Sequence, residues 1–80
     1  DIMALGAIKA LRDRGVKAGR DVKVVGFDNI LLGQYSVPAL STVDSHIDLE
    51  ARRYVDYILG KTSGEESEIE SVYVKRSSSR

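Results

Sequence analysis

Residues 21–29 read Asp-Val-Lys-Val-Val-Gly-Phe-Asp-Asn, a short β-branched apolar run ended by a glycine, an aromatic and two polar residues. This stretch constrains the fold more than any other. A strand with one wet face alternates apolar and polar residues, whereas this one reads as buried on both faces, like a parallel strand inside an α/β layer. In open parallel sheets ligands sit outside the carboxyl ends of the strands, where the loops diverge. Asp28 stands at that end. Gly26 has no side chain, so a neighbouring backbone or a ligand can come close there.

The flanking segments fit a layered fold. Residues 2–14 place Ala4, Ala7, Ile8 and Leu11 on one helical stripe, widened by Leu5. Asp1 stands where an N-cap belongs, Arg12 and Arg14 suit the last turn, and Gly15 follows as a terminator. Gly6 inside this helix costs about 1 kcal/mol relative to alanine, which close packing against a sheet would offset. After Asp28 and Asn29, residues 30–35 are long enough for one or two helical turns capped by either of them. Residues 40–43 read as a short strand, residues 47–59 as a second amphipathic helix with Ile47, Ala51, Tyr54, Val55 and Ile58 at the 3.6 period, and residues 69–75 as an edge strand. Residues 61–68 form a polar surface loop, and residues 76–80 a polar tail. Helix, strand, short helix, strand, helix, strand is an order that favours α/β layering.

Composition narrows the function classes. Eighty residues with 42 % hydrophobic and 30 % charged content make at most one small soluble domain. Twelve basic and twelve acidic residues cancel, which does not suggest nucleic acid or an anionic membrane as partner of this segment. Cysteine is absent, so disulfides and thiolate metal sites are excluded. No apolar run approaches the roughly 20 residues that span a bilayer, and no signal peptide is visible. The opening Asp-Ile-Met-Ala lies inside a helical pattern, so the sequence is expected to be a piece of a longer protein.

Catalytic motifs are missing. There is no GxxxxGK[ST] or GxGxxG run. Ser45, His46 and Asp48 suggest a triad, but near-adjacent side chains at a strand-to-helix junction do not automatically converge, and no G-x-S-x-G elbow accompanies them. The simpler reading has Ser45 or Asp48 capping the second helix and His46 at the surface or in a cleft. One histidine without a second ligand at helical spacing is not a metal site. The Arg52-Arg53 and Lys75-Arg76 pairs read as solvated faces. Neither enzymatic activity nor a cofactor is expected. Asp28 has two compatible readings, a helix cap for residues 30–33 and a charged acceptor at the ligand end of the sheet, because one carboxylate offers several lone-pair sites.

Several stretches together carry a family resemblance. They are Asp-Ile-Met-Ala-Leu-Gly-Ala at 1–7, Gly15, Asp-Val-Lys-Val-Val-Gly-Phe-Asp-Asn at 21–29, Pro-Ala-Leu-Ser-Thr-Val at 38–43 and Val-Lys-Arg-Ser-Ser-Ser at 74–79. In order and spacing, over essentially the whole sequence, they resemble the LacI/GalR-type transcriptional regulators. The resemblance implies an α/β, type I periplasmic-binding-protein-like fold: two lobes, each a parallel sheet with flanking helices, joined by three chain crossings around a ligand cleft. It implies that residues 1–43 belong to one lobe with its hinge strand, 44–68 to a helix and loop of the second lobe, and 69–80 to the closing strand and tail. Asp28 then falls on the family's ligand-contacting aspartate, and Ser45, Ile47 and Glu50 on cleft-wall positions. Ser45-His46 stands where the family usually has Gln-Pro, and Glu50-Ala51 where Leu-Gly is expected. The expected partners are a sugar- or nucleobase-like effector, a second copy in a homodimer, and DNA through an amino-terminal helix-turn-helix outside this sequence. The location would be the cytoplasm, with no membrane contact. The rival is the sugar-binding protein of an ABC transporter, which shares the fold. An isolated interaction module is a third class, and would require these 80 residues to be a whole chain.

Overall fold

The spacing of Ala4, Ile8 and Leu11 decides the first element. The computed structural model describes residues 1–61 and 69–80, and in it helix α1 spans Ile2–Asp13, with Ile8 the side chain that it buries. Its end follows from Gly15 at φ 76°. Gly15 N donates to Arg12 O and Val16 N to Leu11 O, a Schellman closure that satisfies two carbonyls of the last turn. Two expectations for α1 fail. Asp1 occupies the N-cap position without a side-chain cap bond, because its carboxylate accepts instead from Ile30 N at 2.7 Å and from the Thr42 hydroxyl at 2.6 Å. Gly6 has no neighbour within 4 Å of where a Cβ would stand, so close packing within this chain does not account for it.

Residues 24–28 run alongside the segment that enters strand β1 (Thr42–Asp44) and pair with it in parallel, Val25 opposite Ser41. Gly26 N donates to Ser41 O and Asp28 N to Val43 O, each at 2.8 Å, while Val24 N reaches Ser78 O at 2.8 Å. The other edge of β1 pairs antiparallel with β2 (Val72–Val74), in the register Thr42 to Val74, Val43 to Tyr73 and Asp44 to Val72. The α/β class is therefore present, but the strand pairing is mixed, parallel on one side of β1 and antiparallel on the other. The expectation that 21–29 is buried on both faces is not met within this chain. Val22, Val25 and Phe27 are 45–53 % exposed, since no strand or helix among the described residues covers the far edge and outer face. Gly26 behaves as expected. A Cβ there would run into the Asp1 side chain and stand 3.0 Å from Leu40 Cδ2, so the absence of a side chain lets the start of α1 press against the segment.

A short helix α2 (Leu32–Tyr35) follows, with Leu31 at its N-cap and no side-chain cap. Neither Asp28 nor Asn29 caps it; both turn through positive φ instead. Helix α3 (Ile47–Ile58) keeps its predicted bounds to within a residue and closes on Gly60 by the same two-bond pattern as α1. None of its side chains is buried, and its stripe of Ile47, Tyr54, Val55 and Ile58 faces outward. The predicted loop at 61–68 falls, beyond Lys61, outside the described residues.

The largest departure from expectation is the polar ending. Ser77–Ser79 form a 3-10 turn in which Ser78 and Ser79 are buried. The Ser78 hydroxyl accepts from Ser41 N at 2.8 Å and donates to Val24 O at 2.6 Å, while Ser78 N donates to Ala39 O at 2.9 Å. Ser41 Oγ donates to Arg76 O, which leaves it an acceptor for Ser79 and leaves Ser79 an acceptor for the Tyr73 hydroxyl. Gly19 completes the fit: at φ 89° it lies against the Ser77 carbonyl, where a Cβ would collide. Arg76, read from sequence as part of a solvated pair, is half-buried and bonded through both terminal nitrogens. Hydroxyls and turns thus do here what a regular ladder does elsewhere.

The chain is long and thin, 53 × 17 × 15 Å, with a radius of gyration of 16.2 Å, against about 12 Å for a compact domain of this length. Among the described residues Ile8 and Leu40 are the buried apolar side chains. Two expectations follow. Ser78→Ala in the intact protein should lower stability by roughly 1–3 kcal/mol for each of the two buried groups it orphans, whereas Ser71→Ala, at an exposed position, should stay within about 0.5 kcal/mol; equal effects in chemical denaturation would refute the role given to Ser78. The 80 residues alone should associate through the open edge at 22–27. A monomer in sedimentation whose cooperative melt is independent of concentration would contradict this.

Candidate functional site

Two separate stretches face each other across a cleft of about 300 Å3, lined by Asp28 and Asn29 on one side and by Asp44, His46, Ile47, Asp48 and Leu49 on the other. The volume is at the lower end of the range for small-molecule pockets. The first pair stands where residues 24–28 run out, at the carboxyl end of the extended segment, and the second group is the junction between β1 and α3. Of the four residues expected from sequence, Asp28 and Ile47 line the cleft. Ser45 and Glu50 are half-buried beside it and are not among the lining residues.

The backbone at this cleft is unusual. Among the described residues the non-glycine positions with positive φ are Asp28 at 103°, Asn29 at 55° and His46 at 56°, and all three line the cleft. Such conformations cost on the order of 1–3 kcal/mol each and persist only where surrounding bonds hold them, which happens preferentially at functional sites. The bonds are visible. Asn29 N donates to Thr42 Oγ1 at 3.1 Å, and its side-chain Nδ2 to Asp44 Oδ2 at 3.2 Å. The other oxygen of Asp44 accepts from His46 N at 2.9 Å, with His46 Nδ1 at 3.7 Å. Neither Ser45 nor Asp48 caps α3; His46 holds the N-cap position without a side-chain cap bond.

The electrostatics favour an acceptor surface. The His46 N–H and the Asn29 amide hold the Asp44 carboxyl below its ordinary value of 3.8. The side chains of Asp28 and Asp48 make no hydrogen bond or ion pair among the described residues, so their lone pairs are available to a ligand. Ile47 and Leu49, about half exposed, add an apolar wall. Among the described residues no group of three or more His, Cys, Asp or Glu side chains is arranged to hold a metal ion, and no helix is long and apolar enough to cross a membrane. Sequence reasoning placed His46 at the surface or in a cleft, read Asn29 and Asp48 as candidate helix caps, and left Asp44 and Leu49 unassigned. The readable signal was the Asp28-Asn29 pair, the two non-glycine residue types that enter the left-handed region most easily.

Because the folded value for Asp44 lies below 3.8, the bonds it accepts are fully present above pH 3.8 and are lost as the pH falls through the lowered value. The His46 backbone amide resonance should therefore shift in one step with a midpoint below 3.8, and Asp44→Asn should abolish the step. A midpoint at or above 3.8 would show that this carboxylate does not hold the turn.

Comparison with known proteins adds a family context. Residues 1–79 match the family profile described as the periplasmic binding protein-like domain. The HTH-type transcriptional repressor PurR of Histophilus somni is 33 % identical over 75 residues, covering 91 % of this chain and 22 % of that protein. The crystal structure of the lac repressor dimer bound to operator and the anti-inducer ONPF superposes with a TM-score of 0.85 at 30 % identity, over 99 % of this chain and 25 % of the other. A LacI family transcriptional regulator from Arthrobacter sp. FB24, in complex with lactose, gives 0.83 at 28 % identity, over 100 % and 33 %. The chain thus spans between about a fifth and a third of the length of these relatives.

Proposed function

Since the chain belongs to the periplasmic binding protein-like domain family, within the effector-binding domain of the LacI/GalR-type regulators, we propose that it senses a small effector for a DNA-binding transcriptional regulator. The effector is sugar- or purine-like and lies in the cleft between Asp28 and the 44–49 junction. The cleft carries the reading: unpaired carboxylates at Asp28 and Asp48 suit the hydroxyls of a sugar or the N–H groups of a base, and Ile47 and Leu49 suit its apolar face. In this reading residues 1–43 belong to one lobe and 44–68 to the other, with 69–80 returning to close the domain, in keeping with the drawn-out shape. Ser45 and Glu50 adjust the cleft from the flank of the lining residues.

The relatives extend the proposal. A helix-turn-helix type named for the PurR homologue, the operator-bound dimer of the lac repressor and the lactose of the Arthrobacter regulator support a homodimer that binds DNA through a separate module and responds to a sugar; a nucleobase-like effector and a cytoplasmic location complete the proposed reading. Solute capture for a transporter is the alternative on the same fold. The regulator names of the matched relatives favour sensing, and retention of DNA from upstream of the protein's own gene by the intact protein distinguishes the two.

The cleft itself is tested by Asp28→Ala in the intact regulator. Loss of a charged acceptor contact should weaken effector binding by about ten- to a hundredfold, equivalent to roughly 1.5–3 kcal/mol. Asp28→Asn keeps the left-handed turn and removes the charge. Unchanged affinity in both variants, measured by calorimetry with whichever sugar or purine base raises the melting temperature of the native protein, would overturn the assignment.

A further inference from the structure

Arg76 does not line the cleft, yet it reaches the cleft through one intermediary. Its Nη2 donates to Asn29 Oδ1 at 3.0 Å, and Asn29 Nδ2 donates in turn to Asp44 Oδ2 at 3.2 Å. The chemistry makes this order compulsory. A guanidinium has donors only, an ionised carboxylate has acceptors only, and an amide placed between them has one stable orientation, oxygen toward arginine and NH2 toward aspartate. A lone Asn29 facing Asp44 would have no such restriction on its other end. We propose that Arg76 is a positioning residue of the cleft: by fixing the orientation of the Asn29 amide it holds the Asp44 carboxylate, and through it the left-handed His46 turn that starts α3.

Three observations on the guanidinium agree with this role. Its second branch is anchored, with Nη1 donating to Leu40 O at 2.9 Å, so the fork is fixed in direction before it meets Asn29. It packs alongside Gly33, whose Cβ position lies at an ordinary van der Waals distance, 3.7 Å, from Nη1. The residue also stands two positions beyond β2, where its backbone N–H donates to the Ser41 hydroxyl, Arg76 N to Oγ at 2.7 Å. The relay therefore runs from the return strand, across the end of residues 24–28, to the start of α3. Lysine carries one point of charge and cannot serve both Leu40 O and Asn29 Oδ1 with the same geometry. The inference depends on the proposed effector reading only for its functional meaning: in the regulator, loss of Arg76 weakens binding without removing a contact to the effector.

The relay is testable without any ligand, by solution NMR on the intact protein. Two signals are followed, the pH midpoint of Asp44 read at the His46 backbone amide, and the pair of Asn29 side-chain amide protons. In the native protein the midpoint should lie below 3.8 and the Asn29 pair should be well separated. Arg76→Met should raise the midpoint toward 3.8 and move the Asn29 pair toward solvent-averaged shifts, with near-ultraviolet circular dichroism retained. Arg76→Lys should give values between the two. A folded Arg76→Met protein with both signals unchanged would overturn the proposal, and should that variant not fold, native signals in Arg76→Lys would do the same. Failure of the effector reading would show separately, as native effector affinity in Asp28→Ala.

Discussion

Val24, Ser41 and Ser78 come from three distant parts of the sequence, and no regular ladder is available to satisfy the backbone groups that meet there. The Ser78 hydroxyl supplies the missing partners, accepting from one chain and donating to another. A buried hydroxyl is a costly choice for a core position unless both its donor and its acceptor capacity are used, and here both are. Around it Ser41 and Ser79 extend the same solution, and Gly19 allows the turn to seat closely. The apolar core is small, Ile8 and Leu40 at its centre, so directional bonds rather than hydrophobic volume determine how residues 24–28, β1 and the final turn fit together. Directional bonds also fix register more sharply than apolar contact does, because burial is indifferent to small slips and hydrogen bonds are not.

The cleft is built on that platform by similar means. Asp28 and Asn29 leave the extended segment in left-handed conformations, His46 opens α3 in another, and each is held by a bond to a side chain or backbone group already fixed by the platform. Asp1 contributes as well: its carboxylate joins Thr42 to Ile30 N, and Thr42 in turn accepts from Asn29 N. Strain at the cleft is thus sustained by a connected polar network. Such a network leaves Asp28 and Asp48 as unpaired acceptors lining the cleft.

Much of this was legible in the sequence, and the rest was illegible for identifiable reasons. Periodicity located α1 and α3, because an apolar stripe at 3.6 residues has few other uses, and Gly15 and Gly60 marked both ends through their need for positive φ. Gly26 announced a close approach, which Asp1 makes. The burial of 21–29 was misjudged because burial is a property of what lies beside a strand, and for Val22, Val25 and Phe27 the covering elements are not among the described residues. The caps were misjudged because Asp1 and Asn29 had helix termini as local partners in the sequence but their side chains bond over longer distances in the fold, while the Asp28 side chain makes no hydrogen bond among the described residues. The serines at 77–79 were the hardest to read. A run of small polar residues has no period, and only a structure reveals that its hydroxyls point inward. Within the cleft, Asp28 and Ile47 were legible from position and family pattern, while Asp44 looked like any residue at the end of a strand.

The antiparallel contact between β1 and β2 is only three residue pairs wide, in a body 53 Å long. Strand β1 nevertheless carries two neighbours at once, β2 along one edge and the segment around Val25 along the other, and the chain runs from it straight into the turn that opens α3. Sliding β1 along its own axis would have to break hydrogen bonds on both edges together. Three residues thus set the position of the His46 turn from two sides.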